Sequence, residues 1–141
     1  MERSAVVYAV NDRLIVAPNR RTATGLRVQV NPTAIDGSAG PTELSGSISA
    51  ALDASALTAI PPRDWKGVFV PFLQAAGVRN MKVFMASARM VDVDERDGTF
   101  EVTPNRNLGP KEGFEPIPSE TIRLSDWDAI APTVLEKLRT A

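Results

Sequence analysis

Apolar residues fall into two strand-like regions, near residues 5–30 and 91–103, and into helix-like stretches between and after them. Residues 5–10 and 13–17 flank Asn11-Asp12, a pair that tolerates positive φ and suits a two-residue hairpin turn. This turn sets Tyr8 opposite Ile15 and Val7 opposite Val16, so both faces of the hairpin carry apolar residues. The hairpin is therefore expected to be covered on both sides. After a polar connection from Arg20 to Gly25, Leu26, Val28 and Val30 alternate with Arg27 and Gln29 as a half-buried strand ended by Asn31-Pro32.

Residues 36–40 read as loop. Pro41 suits a first helical position, and Glu43 follows in the first turn, where negative charge is favoured. Leu44, Ile48, Ala51, Leu52 and Ala56 then predict a helix over residues 41–57, stopped by Pro61-Pro62. A second helical stretch takes in Trp65, Phe69, Phe72 and Leu73, kinks or restarts at Pro71, and ends at Gly77. Residues 81–95 are apolar and then alternating, and lead into Asp97-Gly98, the strongest hairpin signal in the chain. The return strand covers residues 99–103 and is closed by Pro104. A two-residue turn pairs Arg96 with Thr99, Glu95 with Phe100, Asp94 with Glu101 and Val93 with Val102; a three-residue turn would mix the faces.

A looser Gly/Pro stretch follows over residues 105–118, then an edge strand over 121–124. Ser125 is placed to cap a last helix with Asp126 and Asp128 in its first turn and Trp127, Ile130, Ala131, Val134, Leu135 and Leu138 as its apolar stripe. The order predicts an α+β fold: one domain over residues 1–141, a mainly antiparallel sheet built from hairpins, and about three helices. No fixed-period repeat is visible. The tripeptide Pro-Asn-Arg does occur twice, at residues 18–20 and 104–106, each time just after a strand.

Composition then restricts the chemistry. The chain of 141 residues contains neither Cys nor His, which removes zinc sites of the usual kind, thiol nucleophiles and any imidazole base. No metal and no cofactor is expected, and the prior moves from enzyme to binding protein. A net charge of −1 and 6% aromatic residues argue against nucleic acid as a partner. No apolar run is long enough for a membrane helix and no signal peptide is read at the N-terminus, so a cytoplasmic location is expected.

The acidic residues are the candidate recognition groups. The Asp97-Gly98 register gathers Asp92, Asp94 and Glu101 on one face, with Asp94 directly opposite Glu101. Like charges opposed across a sheet destabilise it. That arrangement reads either as an acidic surface kept for a basic partner or as a solvated face relieved by a neighbour such as Arg89. A second acidic run contains Glu112, Glu115 and Glu120, followed by Asp126 and Asp128, against Arg123 alone. Arg20 and Arg106, with Arg21, would make an anion site if the two Pro-Asn-Arg segments converged. A small carboxylate- and Arg-based enzyme or anion-binding domain is the rival to a pure binding protein.

The stretch Trp65-Lys66, Phe72-Leu73-Gln74-Ala75-Ala76-Gly77-Val78, Phe84, Ala88, Val91, the Asp97-Gly98 hairpin, residues 102–106 and Gly113-Phe114 resembles a family of contact-dependent growth inhibition immunity proteins. The resemblance covers roughly residues 65–124. It implies a non-enzymatic cytoplasmic inhibitor that binds the C-terminal toxin domain of a cognate delivered protein, frequently a nuclease. It carries over no site residue. Carboxylates facing the basic surface of a nuclease would favour on-rate and specificity.

Overall fold

The computed structural model describes residues 2–59 and 67–140. Two strands, β1 (Glu2–Val10) and β2 (Arg13–Arg21), meet at Asn11 and Asp12, whose φ angles of 51° and 57° make the left-handed turn expected there. Tyr8 pairs with Ile15 and Val7 with Val16, as the pattern requires. The next strand is short, β3 (Arg27–Gln29), and a further one, β4 (Thr33–Asp36), lies beyond the Asn31-Pro32 break. The break redirects the chain rather than ending the sheet, because Asn31 adopts φ of 48°. α1 (Pro41–Ala54) begins at the expected proline but ends short of Leu57, where Ser55 N–H turns back to Ala51 O and Leu52 O.

The Pro61-Pro62 stop and Trp65 lie outside the described residues. α2 (Val70–Ala76) carries Pro71 in its first turn, where no internal hydrogen bond is lost, so no kink forms. Gly77 ends it at φ 71°. α3 (Met81–Ser87) is a helix that the apolar run did not reveal; Asn80 starts it by accepting from Val83 N–H at 2.9 Å. β5 (Arg89–Arg96) and β6 (Thr99–Asn107) form the second hairpin, in the expected register. β6 runs through Pro104 instead of closing there. β7 (Phe114–Pro116), β8 (Ile122–Leu124), a 3₁₀ turn over Trp127–Ala129 and α4 (Ile130–Thr140) complete the chain. Asp126, not Ser125, caps that turn, accepting from Asp128 N–H at 3.0 Å.

Among the described residues the eight strands belong to one sheet, in the order β3-β2-β1-β5-β6-β7, with β4 also on β2 and β8 also on β6. The fold is α+β with a mainly antiparallel sheet. One face buries Ala5, Val7, Leu14, Val16, Val91, Val93, Phe100 and Val102 under α1 and α4. The other buries Val6, Tyr8, Val10, Ile15 and Ala17 under α2 and α3.

The topology is internally duplicated. Laying the turn at Asn11-Asp12 on that at Asp97-Gly98 places β1 on β5, β2 on β6 and α1 on residues 127–140. Both Pro-Asn-Arg tripeptides then coincide. β4 pairs with residues 13–16 of β2 and β3 with 19–21; β8 pairs with 100–102 of β6 and β7 with 105–107. Pro18 and Pro104, which have no N–H to donate, stand where the outer partner changes from one short strand to the other. Leu44, Ile48 and Leu52 of α1 match Ile130, Val134 and Leu138 of α4, all buried in the same layer. β1 and β5 are antiparallel neighbours, so the halves are related by an approximate twofold axis normal to the sheet.

Gly37 shows how closely one half is packed. Its N–H donates to Asp12 O at 2.9 Å, and a Cβ at this position would lie 2.5 Å from the same backbone oxygen. Gly37→Ala is expected to cost about 1–3 kcal/mol, because a turn carbonyl must move to admit the methyl group. Thermal melting of the variant checks this; an unchanged melting temperature would contradict the packing.

Candidate functional site

The face that carries α2 and α3 is only half covered by them. Beyond Val6 and Tyr8 the sheet continues as a polar shelf, built from the starts of β1 and β6 and the ends of β2 and β5. Ser4 stands opposite Asp94, Asp94 opposite Glu101, and Glu101 opposite Arg123. The neighbouring rows place Asp92 between Val6 and Thr103, and Arg96 between Glu2 and Thr99. Strand alternation therefore brings Asp92, Asp94 and Glu101 to one face.

The expected repulsion is relieved, but not by Arg89. Arg27, on β3, donates to Asp94 Oδ1 at 3.2 Å and to Ser4 Oγ at 3.1 Å. Arg123, on β8, stands 3.9 Å from Glu101. Arg89 lies on the opposite face, where it donates to the carbonyls of Leu138 and Arg139 at the end of α4. At the tip of the shelf Glu2 pairs with Arg21 at 2.6 Å and with Arg96. A depression of about 190 Å³ opens among Arg27, Asp94, Arg96 and Glu101, and another of about 180 Å³ among Ser4, Asn19 and Arg21.

Asp92 is the least solvated of the three acids. Its Oδ2 accepts from Nδ2 of the buried Asn105 at 2.9 Å. Burial pushes its pKa up to about 6; the Asn105 hydrogen bond opposes this, Asp94 adds to it, and Arg27 subtracts. The folded pKa exceeds the unfolded one, so this group's stabilisation is present below pH 4 and is lost as the pH rises through about 6. Asp92→Asn keeps an acceptor for Asn105 and removes the titration. It is expected to gain about 2–3 kcal/mol over wild type above pH 6 and nothing below pH 4. Urea melts across this pH range measure the difference; a constant offset would contradict a buried titrating carboxylate.

The remaining candidates disperse. Glu115 lies opposite Arg106 and pairs with it at 3.3 Å, Glu112 sits in the β6–β7 loop, and Glu120 in a 3₁₀ turn before β8. All three are exposed along the outer edge of the sheet, away from Asp92. Arg20 and Arg106 do not converge. Each ends the second strand of its own hairpin, and the twofold relation puts those ends at opposite ends of the sheet. Arg20 Nε instead donates to Ala54 O at the end of α1. Trp127 packs against Phe100 with ring centroids 5.3 Å apart, a core-edge position.

The sequence reading missed Arg27, Ser4 and Asn105. Asn105 had a signal, because it sits in the repeated tripeptide. Arg27 had none, since its role depends on β3 reaching round to the shelf. Among the described residues no three of His, Cys, Asp or Glu gather to hold a metal, and no helix is long and apolar enough to cross a membrane. What the shelf offers is fixed charge and hydrogen-bonding groups on a broad floor.

No protein-family model matches this chain and no curated protein matches it. Solved structures do share its architecture. The fold recurs in a toxin and immunity complex. A chain of the CdiA-CT/CdiI toxin and immunity complex from Yersinia pseudotuberculosis aligns with a TM-score of 0.71 and 12% identity, over 100% of this chain and 95% of that one. A protein of unknown function from Neisseria meningitidis aligns with a TM-score of 0.81 and 15% identity, over 100% and 96% of the two chains. At these identities the likeness is one of fold.

Proposed function

We infer that this protein is a non-enzymatic immunity protein that binds and neutralises the C-terminal toxin domain of a cognate contact-dependent growth inhibition effector, acting in the cytoplasm. The observation that carries the reading is the alignment of the whole chain with a chain of a toxin and immunity complex. The shelf supports it: carboxylates at Asp92, Asp94 and Glu101 complement the basic surface that a nuclease presents to phosphates, and such complementarity raises association rates. The absence of His and Cys supports an inhibitor that acts by occupying a surface.

The rival reading, a small carboxylate enzyme, draws on Asp92, whose raised pKa is of the kind found in general acids. One preparation separates the two. The gene of this chain is expected to follow that of a very large exported protein. The C-terminal domain of that protein should form a stable complex with this one on size-exclusion chromatography, while this protein alone turns over neither nucleic acid nor phosphoester. Turnover abolished by Asp92→Asn, without complex formation, would reverse the assignment.

A further inference from the structure

The twofold relation between the halves gives the shelf a structural counterpart. Under it, Val6, Tyr8 and Ile15 correspond to Asp92, Asp94 and Glu101. The first three are buried beneath α2 and α3. Those helices belong to the connection between the halves, and among the described residues there is no second copy of them. Among the described residues nothing lies over Asp94 and Glu101 as α2 and α3 lie over Tyr8 and Ile15.

The residues at the three matched positions state what can lie there. Where the covered half carries two aliphatic side chains and a tyrosine, the other half carries three carboxylates, Asp92 largely buried beside Val6 and Asp94 and Glu101 half-exposed. The cations of the shelf stand at its border: Arg21 and Arg27 on one side, Arg96 at the turn, Arg123 on the outer strand. An acidic centre with a basic rim selects a segment with cations along its middle. Spacing agrees. Asp92 and Asp94 are two residues apart on one strand, about 6.8 Å, and Asp94 to Glu101 across the ladder is about 5 Å. Residues i and i+4 of a helix lie about 6 Å apart along its axis.

We propose that the open shelf is the docking place of a lysine- or arginine-bearing helical segment of a partner protein, which covers the half-exposed Asp94 and Glu101 as α2 and α3 cover Tyr8 and Ile15, with Asp92 lying beneath them. This deepens the immunity reading and rests on it only for the identity of the partner. Docking replaces internal pairings with external ones. Arg27 is the side chain displaced, because it reaches Asp94 from β3 and remains partly exposed.

The test uses the full chain and two probes: a short alanine-based helical peptide with lysines at i and i+4, and the same peptide with glutamates. The lysine peptide should shift the backbone amide NMR signals of residues 92–94 and 101–103, and the glutamate peptide should not. Asp94→Asn with Glu101→Gln should weaken lysine-peptide binding at least about tenfold. Arg27→Ala should strengthen it, since an internal competitor is gone. Equal binding of both peptides, shifts confined to another surface, weaker binding by Arg27→Ala, or shelf-to-shelf association of two copies would each overturn the proposal. If the lysine peptide docks while the toxin domain forms no complex, the immunity reading fails alone. A complex that leaves the shelf amides unmoved overturns the docking site alone.

Discussion

Phe84→Ala is expected to cost about 3–5 kcal/mol, the range for emptying a fully buried aromatic site. Phe84 has no exposure and holds α3 to the sheet through an aromatic cluster. Its ring lies 5.5 Å from Tyr8 and 5.0 Å from Phe69, both edge-on, an arrangement worth something beyond the buried area. Tyr8 is the centre of that cluster and donates its hydroxyl proton to Gln29 Oε1 at 2.5 Å, so its one polar atom is satisfied at the wet margin. Domains of this kind have only about 5–15 kcal/mol in total, so the variant loses a large share of its stability. Urea unfolding measures it, with the midpoint falling and the slope preserved. A loss below about 1 kcal/mol would mean that α2 and α3 are not packed as described.

The second large effect concerns binding. Asp94→Asn and Glu101→Gln together should leave the melting temperature within a few degrees of wild type. Their ion pairs with Arg27 and Arg123 are partly exposed, and such pairs are worth about 0–1 kcal/mol. Relief of the Asp94–Glu101 opposition offsets even that. The affinity of the same variant for the cognate toxin domain should fall by about tenfold or more, since close interfacial charge pairs couple by roughly 1.5–7 kcal/mol. The fall should shrink as salt rises. A structural role for these carboxylates predicts that stability and affinity drop together. An idle solvated face predicts that neither moves. Calorimetry and titration at two salt concentrations distinguish all three.

Much of this fold is legible in the sequence. Asn11-Asp12 and Asp97-Gly98 declare their turns because few residues accept positive φ. The alternation of Val91 and Val93 with Asp92 and Asp94 then fixes which side chains share a face. The helices were less legible where propensity and burial coincide. Met81–Ser87 is apolar on several sides and short, so its period cannot show, and only Asn80 at its start marks it as helix. β4 was missed because Asn31-Pro32 reads as an end, whereas its left-handed backbone redirects the chain along the same edge.

The duplication stayed hidden for a physical reason. The face under α1 and α4 keeps its chemistry in both halves, Leu14 for Phe100 and Leu44 for Ile130, but these are ordinary core substitutions. The other face diverges, Tyr8 against Asp94 and Ile15 against Glu101, because only one half is covered by helices. The two Pro-Asn-Arg tripeptides were its trace in the sequence. They persist where a strand must change outer partners without an N–H to spare.

The proposed role of this chain is to protect a cell by binding one toxin. It is tested most directly by growth. A bacterium expressing, in its cytoplasm, the C-terminal domain of the large exported protein that the immunity reading expects upstream should stop growing, and this chain should restore growth. Asp94→Asn with Glu101→Gln should restore it less well at equal protein level, and an immunity protein of unrelated fold not at all. Growth that stays arrested while the two proteins are both soluble and abundant would contradict the proposed role.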